Sequence, residues 1–246
     1  MKSLCALSSH ISKEIYTLLS ESKLLKYQFG EEGITDKVLY SFIQSGNIHI
    51  HTIPMTKYQE ARNGADWEWW VIPSDNKFPP LRFRIQAKIC SIKNDSFEQI
   101  YYVSQKRRVY QHEILFDKAW RDGAVPLYCL FTHIEPNATH GCMILDSFEY
   151  MDCHSKNSKL ATDVLENAYP MPDLICLGDE YAQNPSLPTL DKIREKLQYH
   201  SSFYLEKITN QAHPTYVRSI MEGNDVFIDP KLGIKKIIIQ TGFSKD

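Results

Sequence analysis

Apolar residues recur at helical spacing over residues 8–27, where Ile11, Ile15, Leu18, Leu19 and Leu25 form one stripe and predict an amphipathic helix. A second helix is predicted over 31–45. Val38, Leu39, Phe42 and Ile43 give its apolar face, Thr35 or an acidic neighbour its cap, and Gly46 its end. The period then changes from 3.6 to 2. The stretches NIHIHTIPM (47–55), ADWEWWVI (65–72) and LRFRIQAKICSI (81–92) read as three strands, the last two separated by the turn PSDNKFPP, whose prolines cannot donate to a sheet ladder. KNDSFEQIYYVS reads as a loop with some extended structure, and 109–123 as a helix ending at Gly123.

VPLYCLFT (125–132) is a continuous apolar run bounded by turn signals, as expected of a buried central or parallel strand. Beyond 135 the pattern predicts a short strand at 172–178, a helix at 187–204, a short helix at PTYVRSIMEG and a strand at 233–242. The order helix, three strands, helix, strand implies a mixed sheet flanked by helices, an α/β (α+β) fold. Residues 1–135 would form the core with its N-terminal helix. Residues 136–246 would be a C-terminal extension that either prolongs the same sheet or forms a small subdomain.

Composition changes this picture little. The chain has 246 residues, is 43% hydrophobic and 24% charged, and carries a net charge of -2, so any basic surface must be local. No apolar run approaches the roughly 20 residues of a membrane helix, and the N-terminus lacks a continuous signal-peptide core, so a cytoplasmic protein is expected. The six cysteines agree with that, and Cys90 and Cys129 in apolar strands read as small hydrophobes. His140, Cys142, Cys153 and His154 have ligand chemistry, but their spacing matches no established zinc pattern, and they read as loop and core residues.

Alternation along the strands brings out the chemistry. Asp66, Glu68 and Trp70 share one face of the second strand; Arg82, Arg84, Gln86 and Lys88 share one face of the third. If the two strands pair, Asp66, Glu68, Gln86 and Lys88 converge. Two carboxylates and an amide oxygen are hard ligands suited to Mg2+, which acidifies a bound water and stabilises charge on a phosphate. A neighbouring lysine adds a point charge. The bland alternative is a charged sheet face with paired ions. The tryptophans beside Asp66 and Glu68 argue for burial, where a carboxylate needs a partner or a metal.

GAD at 64–66 on one strand followed by QAK at 86–88 on the next resembles the PD-(D/E)XK nuclease superfamily. It is most similar to the Mrr-like branch, in which glutamine replaces the acid of the (D/E)XK motif. GADWEWW followed by QAK also resembles an uncharacterised prokaryotic family of presumed nucleases. The resemblance implies a restriction-endonuclease-like αβββαβ core over about residues 31–132. It implies Asp66 as a ligand to Mg2+ (with Mn2+ as substitute), Gln86 in the second acidic position, the Ala87 carbonyl as a further ligand and Lys88 as the catalytic lysine. An additional acid would come from Glu32, with Glu31 or Glu60 as alternatives. The naming proline is absent, Ala65 standing in its place, and the pattern does not require Glu68.

Seven basic residues (Arg82, Arg84, Lys88, Lys93, Lys106, Arg107, Arg108) stand against Asp95 and Glu98 between 82 and 108, a local balance of +5. Tyr101, Tyr102 and Tyr110 are interleaved with them. Arg82, Arg84, Lys106, Arg107 and Arg108 are therefore the candidate phosphate contacts, with DNA as the expected partner and RNA not excluded. Gln111 and His112 open the next helix, at a position that in this superfamily can face the site. The expected function is a metal-dependent DNA endonuclease, acting as a homodimer and, by resemblance, in prokaryotic defence. The rival readings are a catalytically inactive nucleic-acid-binding or protein-interaction module of the same fold, and a structural protein whose Trp-rich strand is only core.

Overall fold

The computed structural model describes residues 4–44, 50–54, 63–72, 81–104, 108–134, 139–176 and 236–241. Helices α1 (Leu4–Leu24) and α2 (Glu31–Gln44) precede strands β1 (Ile50–Pro54), β2 (Trp67–Ile72) and β3 (Leu81–Ile89). A small ribbon, β4 (Val103–Ser104) and β5 (Val109–Tyr110), leads into α3 (Gln111–Arg121). Strands β6 (Val125–Phe131) and β7 (Cys142–Asp146), helices α4 (Ser147–Ser155) and α5 (Ala161–Leu165), and strands β8 (Tyr169–Pro170) and β9 (Lys236–Thr241) complete the order. Seven strands form one mixed sheet in the order β1-β9-β2-β3-β6-β7-β8. β2 pairs antiparallel with β3, and β3 pairs parallel with β6.

Both faces of this sheet are covered, because its central strands carry apolar residues on both sides. One core joins Ile11, Ile15 and Leu19 of α1 and Ile34, Val38 and Phe42 of α2 to Trp67, Trp69, Phe83, Ile85, Leu127 and Phe131. The opposite core joins Leu115 of α3, Tyr150 of α4 and Val164 of α5 to Tyr128, Leu130 and Leu145. Each such side chain contributes about 1.5–3 kcal/mol on burial. β6 is buried at every position, as its uninterrupted apolar run predicts.

Several expectations change. The first helix begins at Leu4 and ends at Leu24, and α2 begins at Glu31. Thr35 is therefore inside α2, where its hydroxyl donates to the Glu31 carbonyl. Residues 171–176 are helical, not a strand. Strand β9, expected at 233–242, lies between β1 and β2, so β1 and β2 are not neighbours. Strands β7, β8 and β9 all follow residue 135 and all belong to this one sheet. The helices expected at 187–204 and at PTYVRSIMEG, and the Gly46 cap, lie outside the described residues. Cys5 and Cys176 form a disulfide that ties α1 to the helix at 171–176, a pairing the cysteine reading did not anticipate. Cys90, Cys129, Cys142 and Cys153 are buried free thiols. No helix among the described residues is long and apolar enough to cross a membrane.

Candidate functional site

The chain reaches β2 through a tight turn that fixes Asp66. Asn63 accepts the Ala65 N–H at 3.1 Å, and Gly64 has φ +73°. A Cβ at Gly64 would lie 2.7 Å from the Leu115 backbone nitrogen, so only glycine lets this turn lie against α3. The register Trp67↔Ile85 then puts Asp66 opposite Gln86. Asp66 Oδ2 accepts hydrogen bonds from Gln86 Nε2 and from the Ala87 N–H, both at 2.6 Å. Gln86 Oε1 accepts in turn from Gln111 Nε2 at 2.7 Å, at the first residue of α3.

Lys88 lies two residues further along the same face of β3, and its Nζ is 3.5 Å from Glu31 Oε1 at the start of α2. Asp66, Gln86 and Lys88 are all buried. Behind them the Tyr128 hydroxyl is buried and makes no hydrogen bond of good geometry. Burial raises its phenol well above the ordinary value, Tyr150 raises it further, and the charges of Asp66 and Glu31 add to this. The two carboxylates therefore act on one buried group. The acid that meets Lys88 is Glu31; Glu32 is exposed on the next position of the helix, and Glu60 lies outside the described residues.

The structure divides the expected cluster in two. Glu68 does not join Asp66. It stands opposite Arg84, and its carboxylate is clamped by Arg82 (Nε–Oε1 2.5 Å, Nη2–Oε2 2.8 Å) and Arg84 (Nη2–Oε2 2.8 Å). Arg84 also meets Asp122 Oδ2 at 2.8 Å, and Arg82 donates to the Asp122 carbonyl. Burial alone would raise the Glu68 carboxyl, but the two guanidinium groups outweigh it and hold the pKa below its ordinary value. Arg82 and Arg84 are thus buried ion-pair partners beneath α3 and present no surface to a phosphate, which corrects that expectation. Alternation put them on the right face but could not show that α3 covers it. Arg108 is exposed, at φ +54°, and Lys106 and Arg107 lie outside the described residues.

Asp66, Glu31, Gln86 Oε1 and the Ala87 carbonyl are oxygen donors of the kind a hard divalent cation takes. Among the described residues no three His, Cys, Asp or Glu side chains gather as a metal-holding group, so such a cation would depend on amide and backbone oxygen. In the observed orientation Gln86 shows its nitrogen to Asp66, and it offers oxygen there only with the amide reversed. Sequence reasoning left open both Gln111, which sets that orientation, and Glu31 among the upstream acids. Tyr128 carried no signal beyond its place in an apolar strand.

A family of unknown function, DUF6615, matches residues 4–243. The chain belongs to that family. The DUF6615 match spans the GAD turn, the QAK strand, α3 and β9, so the whole site lies within it. No curated protein matches this DUF6615 chain.

Proposed function

We propose that this protein is a metal-dependent nuclease of the PD-(D/E)XK type that hydrolyses phosphodiester bonds in DNA. One observation carries the reading: Asp66 docks on the Gln86–Ala87 segment while Lys88, on the same face, meets Glu31. Asp66 and Glu31 supply the negative charge to hold Mg2+ (or Mn2+), with Gln86 Oε1 and the Ala87 carbonyl completing the oxygen set. The bound cation supplies Lewis acidity and an acidified water. Lys88, fixed by the sheet on one side and Glu31 on the other, stabilises negative charge on the phosphate as a desolvated point charge. A cytoplasmic location, a two-fold homodimer and a role in defence accompany this reading. The Gln86 nitrogen facing Asp66 favours the second reading, a binding module of the same fold without catalysis.

Cleavage of single-stranded, supercoiled and linear duplex DNA with Mg2+ or Mn2+ separates the two. Wild type is expected to cut, and folded Asp66→Ala and Lys88→Ala variants to be silent. Binding without cutting under every condition, or undiminished cutting by Lys88→Ala, overturns the nuclease reading.

A further inference from the structure

A cleft of about 480 Å3 opens beside the candidate site, with Glu31, Lys88 and Gln111 in its wall. The segments that frame it are joined. Gln28 accepts the Ile92 N–H at 2.9 Å, and the Gln111 N–H donates to the Tyr102 carbonyl at 2.9 Å. Its remaining lining has a particular chemistry. Phe29, held edge-on by Tyr27 at 5.0 Å, and Tyr102, 44% exposed, supply aromatic surface; Gln99 supplies an exposed amide.

Charge speaks against a phosphate cradle. Among the described residues of its lining, Glu31 and Glu98 oppose the single cation Lys88, and hydrogen bonds from Asn94 and Ser96 hold the Glu98 carboxyl below its ordinary value. Volume speaks against a duplex, since clefts of this size take one small group. Arg82 and Arg84, expected from the sequence to meet phosphate, are buried with Glu68. Aromatic faces with amides beside them suit a planar heterocycle, stacked on its face and hydrogen-bonded at its edge.

We infer that this cleft binds one unstacked nucleobase of a single strand or of an extruded nucleotide, setting the adjoining phosphodiester beside Lys88. The inference rests on the nuclease reading and names its substrate class. Enzymes that act on an extruded nucleotide meet the unpairing cost most easily where the strand is already open, so single-stranded ends and mismatches are the preferred substrates.

The test is binding of an oligonucleotide carrying one 2-aminopurine to the wild-type chain in EDTA, single-stranded beside fully paired. The single strand is expected to bind about tenfold tighter or better, with its emission quenched by stacking. Tyr102→Ala is expected to weaken binding at least about fivefold, and Tyr102→Phe to restore it. Equal affinity for duplex, absence of quenching, or unchanged binding by Tyr102→Ala overturns the inference. Because the assay involves no hydrolysis, the two readings fail separately. Quenching by a chain that never cuts sinks the nuclease reading alone; cutting by a chain whose Tyr102→Ala variant binds normally sinks the base pocket alone.

Discussion

Gln86 donates through Nε2 to Asp66 Oδ2 at 2.6 Å, and Gln111 holds the other end of the same amide at 2.7 Å. A glutamine so placed is a neutral bridge between a buried carboxylate and the first turn of α3. It satisfies Asp66 without a cation, and by reversing its amide it offers oxygen to one.

Gln86→Glu converts this bridge into a second carboxylate facing Asp66. Without a divalent cation the two buried charges repel, and the variant is expected to lose about 1–3 kcal/mol. Mg2+ should restore most of that loss and raise the melting temperature of the variant more than that of wild type. Thermal denaturation in EDTA and in Mg2+ measures both. A Gln86→Glu protein whose melting ignores Mg2+ would count against a cation at Asp66.

The ion-pair network beneath α3 gives a stability prediction. Glu68 is fully buried between Arg82 and Arg84, so Glu68→Gln leaves two buried guanidinium groups undercompensated. The expected loss is about 3–5 kcal/mol by urea denaturation at neutral pH. The folded-state pKa of Glu68 lies below its ordinary value of 4.5, so its stabilisation is present above pH 4.5 and is lost as pH falls through the lower folded value. The gap between wild type and Glu68→Gln should therefore narrow only in acid. A gap independent of pH would show that the carboxylate is not held by charge.

These two cases show what was legible in the sequence. Period-two alternation put Asp66, Glu68, Arg82, Arg84, Gln86 and Lys88 on one sheet face, and the register agrees. Alternation cannot say what covers a face, so Arg82 and Arg84 looked available to phosphate when α3 and Asp122 bury them. Nor could local pattern show that β9, more than 160 residues after Trp67, would separate β1 from β2; strand order depends on long-range pairing. Choosing between Glu31 and Glu32 needed the helix phase, which one residue decides. β7 was not anticipated because CMILD has only four apolar residues, Cys142 to Leu145, before Asp146, too few for periodicity to resolve.

His112 gives a pH prediction. It follows Gln111 on α3, stacks on Tyr110 at 5.2 Å, and lies 5.0 Å from both Tyr150 and His154. Burial, then the neighbouring His154, push its pKa from 6.5 down to about 4, against a small opposing effect of Glu113. The unfolded chain takes up this proton near pH 6.5 and the folded chain does not, so stability is full above pH 6.5 and falls progressively toward about pH 4. The expected loss is about 1–3 kcal/mol. His112→Phe, which keeps the aromatic packing, should flatten that decline. Urea midpoints at pH 7 and 5 test it, and an equally steep decline in the variant would place the sensitivity elsewhere.

The Cys5–Cys176 disulfide spans 171 residues and joins α1 to the helix that follows β8. α1 packs on the sheet through Ile11, Ile15 and Leu19, and Ser12 and Lys23 add polar contacts to Gly141 and Asp95, so the link fastens covalently a layer held otherwise by non-covalent contacts. Closing so long a loop restricts the unfolded chain strongly, and stabilisation of about 2–5 kcal/mol is expected. Reduction should lower the melting temperature, and Cys5→Ser should reproduce the reduced value and abolish its response to reductant. The four free cysteines are buried, so they should add little to that response. Thiol counting under denaturing conditions, before and after reduction, reads the bond directly: four reactive thiols in the untreated chain and six after reduction are expected. Six thiols from the outset would mean that α1 is held without a covalent link, and the reductant-dependent melting shift should then vanish as well.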